Sequence, residues 1–150
     1  MKRFRIGLDI DDCLADFWGA YCEYFDTKNN PRMLEDSIIT KNVQQVLSKD
    51  RDFWLGLKVI NMPDFQPALY CTKRVNNKEW TKKWLEMNGF PKAPIYQMVY
   101  QHGNKADMIK GKVDVFIDDY IFYKMITHTV SLIQIDCSDQ CFQCIAIHMI

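Results

Sequence analysis

Short apolar runs punctuate this chain at wide intervals, and several of them end on acidic or hydroxyl residues. "FRIGLDI" (4–10), "ALYCT" (68–72) and "VDVFID" (113–118) have the length and branched character of buried strands. "IYQMVY" (95–100) and "VSLIQID" (130–136) are weaker forms of the same pattern. Between the runs the period changes. In "NNKEWTKKWLEMNGF" (76–90), Trp80 and Trp84 stand four apart with Leu85 and Met87 flanking, while Lys78, Lys82 and Lys83 fall elsewhere. That spacing predicts a helix with both tryptophans in the core, stopped by Asn88-Gly89. "NKADMIKGK" (104–112) predicts a short helix ending at Gly111, and "YIFYKMI" (120–126) another.

Strands alternating with helices predict an α/β fold, a Rossmann-like, mostly parallel sheet flanked by helices. The stretch 18–62 breaks the alternation. It carries helical patterns, Pro31 and "LEDSIITKNVQQVLSKD", and no strand-like run until its end. The expected organisation is therefore a core made of 1–17 and 63–150, with a small helical insertion at 18–62 after the first core strand.

Composition narrows the class. Hydrophobic residues make up 48% of the chain and charged residues 25%, a globular balance. A formal net charge of +0 argues against holding nucleic acid by bulk positive charge, so a nucleic-acid partner is not expected, although Lys73-Arg74 and Lys82-Lys83 form local basic pairs. No apolar stretch reaches membrane-helix length, and the run after "MKRFR" meets Asp9 too early for a signal peptide. The six cysteines (13, 22, 71, 137, 141, 144) are not spaced as a disulfide framework, which points to reduced thiols and a cytoplasmic protein. Cys71 reads as a small buried hydrophobe. Cys137, Cys141, Cys144 and His148 could together bind zinc, but this segment reads more simply as reduced cysteines.

The chemistry is concentrated at the strand ends. "GLDIDDCLADF" (7–17) places Asp9, Asp11, Asp12 and Asp16 directly after the first strand; Thr72 follows the second, and Asp118 and Asp119 follow "VDVFI". In a parallel α/β sheet the ligand site lies beyond these carboxyl ends. Lys105, opening the preceding helix, could reach the same crevice. Crowded carboxylates can be held together by a divalent cation, and magnesium accepts a few carboxylates while keeping water and phosphate oxygens. Two aspartates two residues apart on an extended segment point to the same side. One can meet a phosphorus atom while the other sits beside the leaving oxygen, with Thr72 and Lys105 facing the phosphoryl oxygens. Asp12 and Asp16 also suit the start of a helix, where the dipole favours them; that is the preferred reading of Asp16.

In this order, "LDIDDCL", Thr72, Lys105 and "IDDY" resemble the four motifs of the haloacid dehalogenase superfamily. The resemblance is closest to the 5′(3′)-deoxyribonucleotidases. "DIDDCLADF" is similar to that group's Asp-Met-Asp-Gly-Val-Leu-Ala-Asp-Phe pattern, "DFWLGLKVI" to its aromatic pair followed by Leu-x-x-Ile, and "GNKADMIKGKVDVFIDD" to its Lys-to-Asp-Asp segment. The resemblance implies a magnesium-dependent phosphatase that forms an aspartyl-phosphate, with 18–62 as a cap. It implies Asp9 as nucleophile and Asp11 as general acid/base. Thr72 and Lys105, with Lys73 beside them, would bind phosphate. Asp9, Asp11 through its backbone carbonyl, and Asp118 or Asp119 would hold Mg2+. Phe17, Phe53 and Trp54 would line the pocket for the nucleoside of a nucleoside monophosphate.

The chain departs from that pattern in places. Asp12 stands where glycine is usual, adding charge beside the phosphate site, and Cys13 where valine or threonine is usual. "KR" follows Thr72 where serine or alanine, then arginine, is typical, and the insertion is short. The alternatives are a phosphatase of nucleic-acid ends or other small phosphoesters, and a non-catalytic nucleotide-binding descendant. The oligomeric state stays open, a homodimer included.

Overall fold

A computed structural model describes residues 4–27, 36–98, 103–119, 130–135 and 144–149, the last two as backbone. Six strands form one sheet: β1 (Ile6–Leu8), β2 (Leu69–Lys73), β3 (Ile95–Met98), β4 (Val115–Asp118), β5 (Val130–Ile135) and β6 (Cys144–Met149), in the order β3-β2-β1-β4-β6-β5. The first four are parallel, with Gly7 opposite Leu69 on one side and Phe116 on the other, and Tyr70 opposite Ile95. β6 pairs antiparallel with both β4 and β5. The fold is mixed α/β with a parallel sheet at its centre, as the alternating pattern predicts.

Each predicted run holds a strand: β1, β3, β4 and β5 lie within theirs, and β2 runs one residue past Thr72 to Lys73. β6 was not expected: it occupies "CIAIHM" within the cysteine-bearing tail. Cys144 and His148 fall in this strand, whereas Cys137, Cys141 and the helix expected at 120–126 lie outside the described residues.

Helices α1 (Phe17–Tyr24), α2 (Asp36–Gln45) and α3 (Arg51–Leu55), with a 3₁₀ turn at Leu47–Lys49, come between β1 and β2. α4 (Lys78–Met87) joins β2 to β3, and α5 (Lys105–Ile109) precedes β4. Four helix starts have a local cause: the side chains of Asp16, Asp50, Asn77 and Asn104 accept backbone N–H groups of the first turns of α1, α3, α4 and α5. α4 ends at Asn88-Gly89, where Gly89 takes a φ of 75° that favours glycine. Among the described residues no helix is long and apolar enough to cross a membrane.

The main core gathers Leu8, Ile10, Leu14, Tyr21, Leu47, Trp54, Leu57, Tyr70, Trp84 and Phe90. Its two largest side chains are buried with their polar atoms satisfied: the indole N–H of Trp54 donates to the Leu47 carbonyl (2.7 Å), and that of Trp84 to the Leu57 carbonyl (2.9 Å). Trp80 is only half-buried against the same core. Cys71 is fully buried, and burial pushes its thiol up to about 12.

Candidate functional site

The chain leaves β1 at Leu8 and turns tightly. Leu14 and Ala15 both donate their N–H to the Ile10 carbonyl (2.8 and 2.9 Å), and Asp12 donates its own to the Ala15 carbonyl (2.7 Å). Asp12 sits at φ 59°, in the left-handed region. That region favours glycine, and Asp is among the side-chain-bearing residues that tolerate it best.

The turn also divides the four aspartates by role. Asp12 accepts the backbone N–H of Trp18 (3.0 Å), and Asp16 that of Gly19 (2.9 Å), so both satisfy open donors in the first turn of α1. Asp16 is thus a helix cap, in line with the dipole reading. A Cβ at Gly19 would collide with its carboxylate. Asp9 and Asp11 face the other way, toward the ends of β2 and β4.

At those ends two charge clusters meet. The Lys105 ammonium pairs with both Asp9 and Asp118, the latter at 3.0 Å, and all three residues are buried. Asn104 sets this up by capping α5 so that Lys105 is its first residue. On the other side, Thr72 Oγ1 donates to Asp11 Oδ2 (3.1 Å). Arg74 forks onto the same carboxylate, Nη2 to Oδ1 at 2.6 Å and Nε to Oδ2 at 2.9 Å. Thr72 therefore faces Asp11 here, and Arg74 is buried. The basic pair expected at Lys73-Arg74 is not an exposed patch.

Burial dominates the electrostatics. It holds Asp9 well above the ordinary carboxylate range; Lys105 pulls the other way, and Asp118 and Asp11 push further up. Asp119 is pushed up to about 7, first by burial and then by the Asp118 charge. Asp12 rises to about 8, chiefly by burial, against the Trp18 N–H. The Asp9 and Asp119 carboxylates and the Cys13 Sγ each bring a possible ligand atom, all within 4.8 Å of one another.

Most of these groups, though not Cys13, Asp16 or Arg74, line one pocket of about 430 Å³, within the range of small-molecule sites. Its polar end comprises Asp9, Asp11, Asp12, Thr72, Lys73, Lys105, Asp118 and Asp119. Its other wall is Phe17, Trp18 and Trp54 with Ile39, Thr40, Val43 and Gln44 of α2. Of the expected residues, Phe53 alone does not line it. Phe53 packs edge-on against Phe17 (ring centroids 6.0 Å apart) and Trp54 (5.3 Å), behind the pocket wall.

The sequence reading missed Arg74, Trp18 and the α2 wall as site residues. The α2 wall had a signal: Ile39, Thr40, Val43 and Gln44 repeat at helical spacing on one face. Arg74 had a signal only in the resemblance, whose pattern carries an arginine two residues after its threonine; nothing in "TKRV" itself marks the arginine as buried. Comparison with known protein families and with curated proteins found no match for this chain.

Proposed function

We propose that the protein is a phosphomonoester hydrolase of the haloacid dehalogenase type, acting on nucleoside monophosphates. In this reading the parallel strands form a Rossmann-like core and residues 18–62 a small helical cap. One observation carries it: Asp9, Asp11, Thr72, Lys73, Lys105, Asp118 and Asp119, scattered along the sequence, line a single pocket whose opposite wall is aromatic and amide-bearing. A phosphate belongs at the first end and a flat, polar-edged group such as a base at the second.

The donor set fits a hard divalent cation. Asp9 and Asp119 bring carboxylate oxygens within 4.8 Å of each other, beside the Cys13 thiol, and Lys105 pairs with both Asp9 and Asp118. Asp9, the Asp11 backbone carbonyl and Asp118 or Asp119 would hold Mg2+. Bound there, the ion would neutralise charge on the phosphoryl oxygens.

The protein's own groups do the rest. An Asp9 carboxylate oxygen attacks phosphorus, forming a P–O bond as the ester P–O bond breaks. The departing ester oxygen takes the proton of the Asp11 carboxyl and leaves as an alcohol, giving an Asp9 acyl phosphate. Water then loses a proton to the Asp11 carboxylate and attacks phosphorus. The Asp9–phosphorus bond breaks, inorganic phosphate forms, and both aspartates are restored. Lys105 opposes the charge on Asp9 and the phosphoryl group, and Lys73 at the pocket edge offers a second cation. Phe17, Trp18 and Trp54 exclude water and give the base a surface to pack on.

Phosphate release from a panel of ribo- and deoxyribonucleoside monophosphates, with magnesium and with chelator, tests this. The expected outcome is metal-dependent release that Asp9→Asn abolishes. A silent panel, or an Asp9→Asn variant with undiminished metal-dependent turnover, refutes the proposal.

A further inference from the structure

Among the described residues, one buried and many-partnered polar side chain is not used by the proposed chemistry. Arg74 is 1% exposed, yet it carries a full charge into the core. Its guanidinium carbon stands 5.0 Å from the centre of the Trp54 ring and 5.8 Å from that of Trp84. Nη1 donates to Thr81 Oγ1 (3.4 Å), which donates in turn to Gln97 Oε1 (2.8 Å). Gln97 Nε2 donates back to the Arg74 carbonyl (3.3 Å) and to the Asn76 carbonyl (2.7 Å). Side chain and backbone of residue 74 are thus both fixed from β3 and α4.

All this rigidity ends on one group. Nε and Nη2 fork onto Asp11, which keeps 18% of its side chain exposed and lines the pocket, while the Arg74 side chain is fully buried. A buried ion pair is a poor device for stability alone, since apolar residues of similar volume often do as well. A planar fork is a good device for direction, because it fixes the plane of the carboxylate as well as its position.

We infer that Arg74 is a positioning residue for proton transfer by Asp11: anchored by Trp54, Trp84 and the Thr81–Gln97 chain, it aims the Asp11 carboxyl at the ester oxygen. The inference rests on the phosphatase reading and on Asp11 as the acid/base. A misaimed Asp11 slows the step in which the ester oxygen takes its proton. It matters far less where the leaving group needs no proton.

The test is the single-turnover rate of wild type and Arg74→Lys on two esters with magnesium, a deoxynucleoside 5′-monophosphate and p-nitrophenyl phosphate. Lysine keeps the charge but cannot fork. The loss on the nucleotide should exceed the loss on p-nitrophenyl phosphate by about 10²-fold, the scale of a positioned general acid. KM should move little. Arg74→Ala should regain nucleotide turnover when guanidinium is added below denaturing concentrations. Equal losses on the two esters, a nucleotide rate that does not fall, or an Arg74→Lys chain that no longer folds would each assign Arg74 to structure and overturn the inference. Those results come from an active wild type; a wild type silent on both esters removes the phosphatase reading itself and this inference with it.

Discussion

Trp84 and Trp80 look equivalent in the sequence, four apart on one helix, and the structure predicts that they are not. Trp84 is fully buried, packs on Phe90 with ring centroids 5.1 Å apart, and donates its indole N–H to the Leu57 carbonyl. Trp84→Phe removes that donor, and a buried carbonyl left unpaired costs about 1–3 kcal/mol. The smaller ring leaves a void of about 40 Å³, which at about 24 cal/mol per Å³ adds roughly 1 kcal/mol. The sum is about 2–4 kcal/mol, a large part of a typical domain's stability. With a urea slope of about 2 kcal/mol per M, the unfolding midpoint should fall by about 1–2 M. Trp80 is half-buried, and its indole N–H donates to no described residue. Trp80→Phe should therefore cost less than about 1 kcal/mol. Urea titrations of both variants, followed by circular dichroism with matched slopes, compare them directly. A Trp80→Phe midpoint shifted as far as that of Trp84→Phe, or further, refutes the argument.

Two further predictions concern local structure. Asp50 accepts the Phe53 N–H (3.0 Å) and the Tyr24 hydroxyl (2.8 Å), and these bonds hold its carboxyl below the ordinary range. Its contribution is full above the unfolded value near 3.9 and is lost as pH falls through the lower folded value, so Asp50→Ala should cost about 1 kcal/mol at neutral pH and progressively less below about pH 4. Urea midpoints of both chains at neutral and acid pH check this, and a gap that persists or widens in acid contradicts it. At Gly7 a Cβ would meet Leu69 Cδ1, Val113 Cγ1 and Phe116 Cδ2, each at 3.0 Å. Gly7→Ala should cost roughly 1–3 kcal/mol by overpacking, lowering Tm by about 2–10 °C; an unchanged melting curve would show that the β1 cleft has slack.

The core strands were legible because a strand buried on both faces must be an apolar run, and few other segments of this chain are. β6 was harder to see. Its short apolar run "CIAI" sits in a segment read for its cysteines, and its place is specified by pairing with both β4 and β5, a relation that local pattern does not carry. The pocket lining was legible wherever position along a strand decided it, as with Asp9, Asp11, Thr72 and Asp118. It was illegible where a contact decided it. The Phe53 and Trp54 side chains are adjacent in sequence, yet only Trp54 reaches the pocket. Arg74 follows Lys73 in what reads as an exposed basic pair, but two indoles and Asp11 draw it into the core. Asp12 could be noted as a departure; only its backbone angle shows why this position is restrictive.

The place of β1 in the sheet bears on how the protein is made. Asp9 follows a three-residue strand hydrogen-bonded to β2 on one side and β4 on the other. Neither neighbour is close in sequence, so both pairings close long loops, the kind of contact that forms late and slowly. During synthesis at about 5–20 residues per second, β1 emerges roughly 5–20 s before β4 exists to receive it. For that interval the acid-rich turn has no Lys105 to oppose its charge, and the apolar segment beside it has two open edges. The mutual repulsion of those unpaired aspartates then acts as a guard, discouraging a nascent chain from pairing this segment with another copy of itself before its own partners arrive.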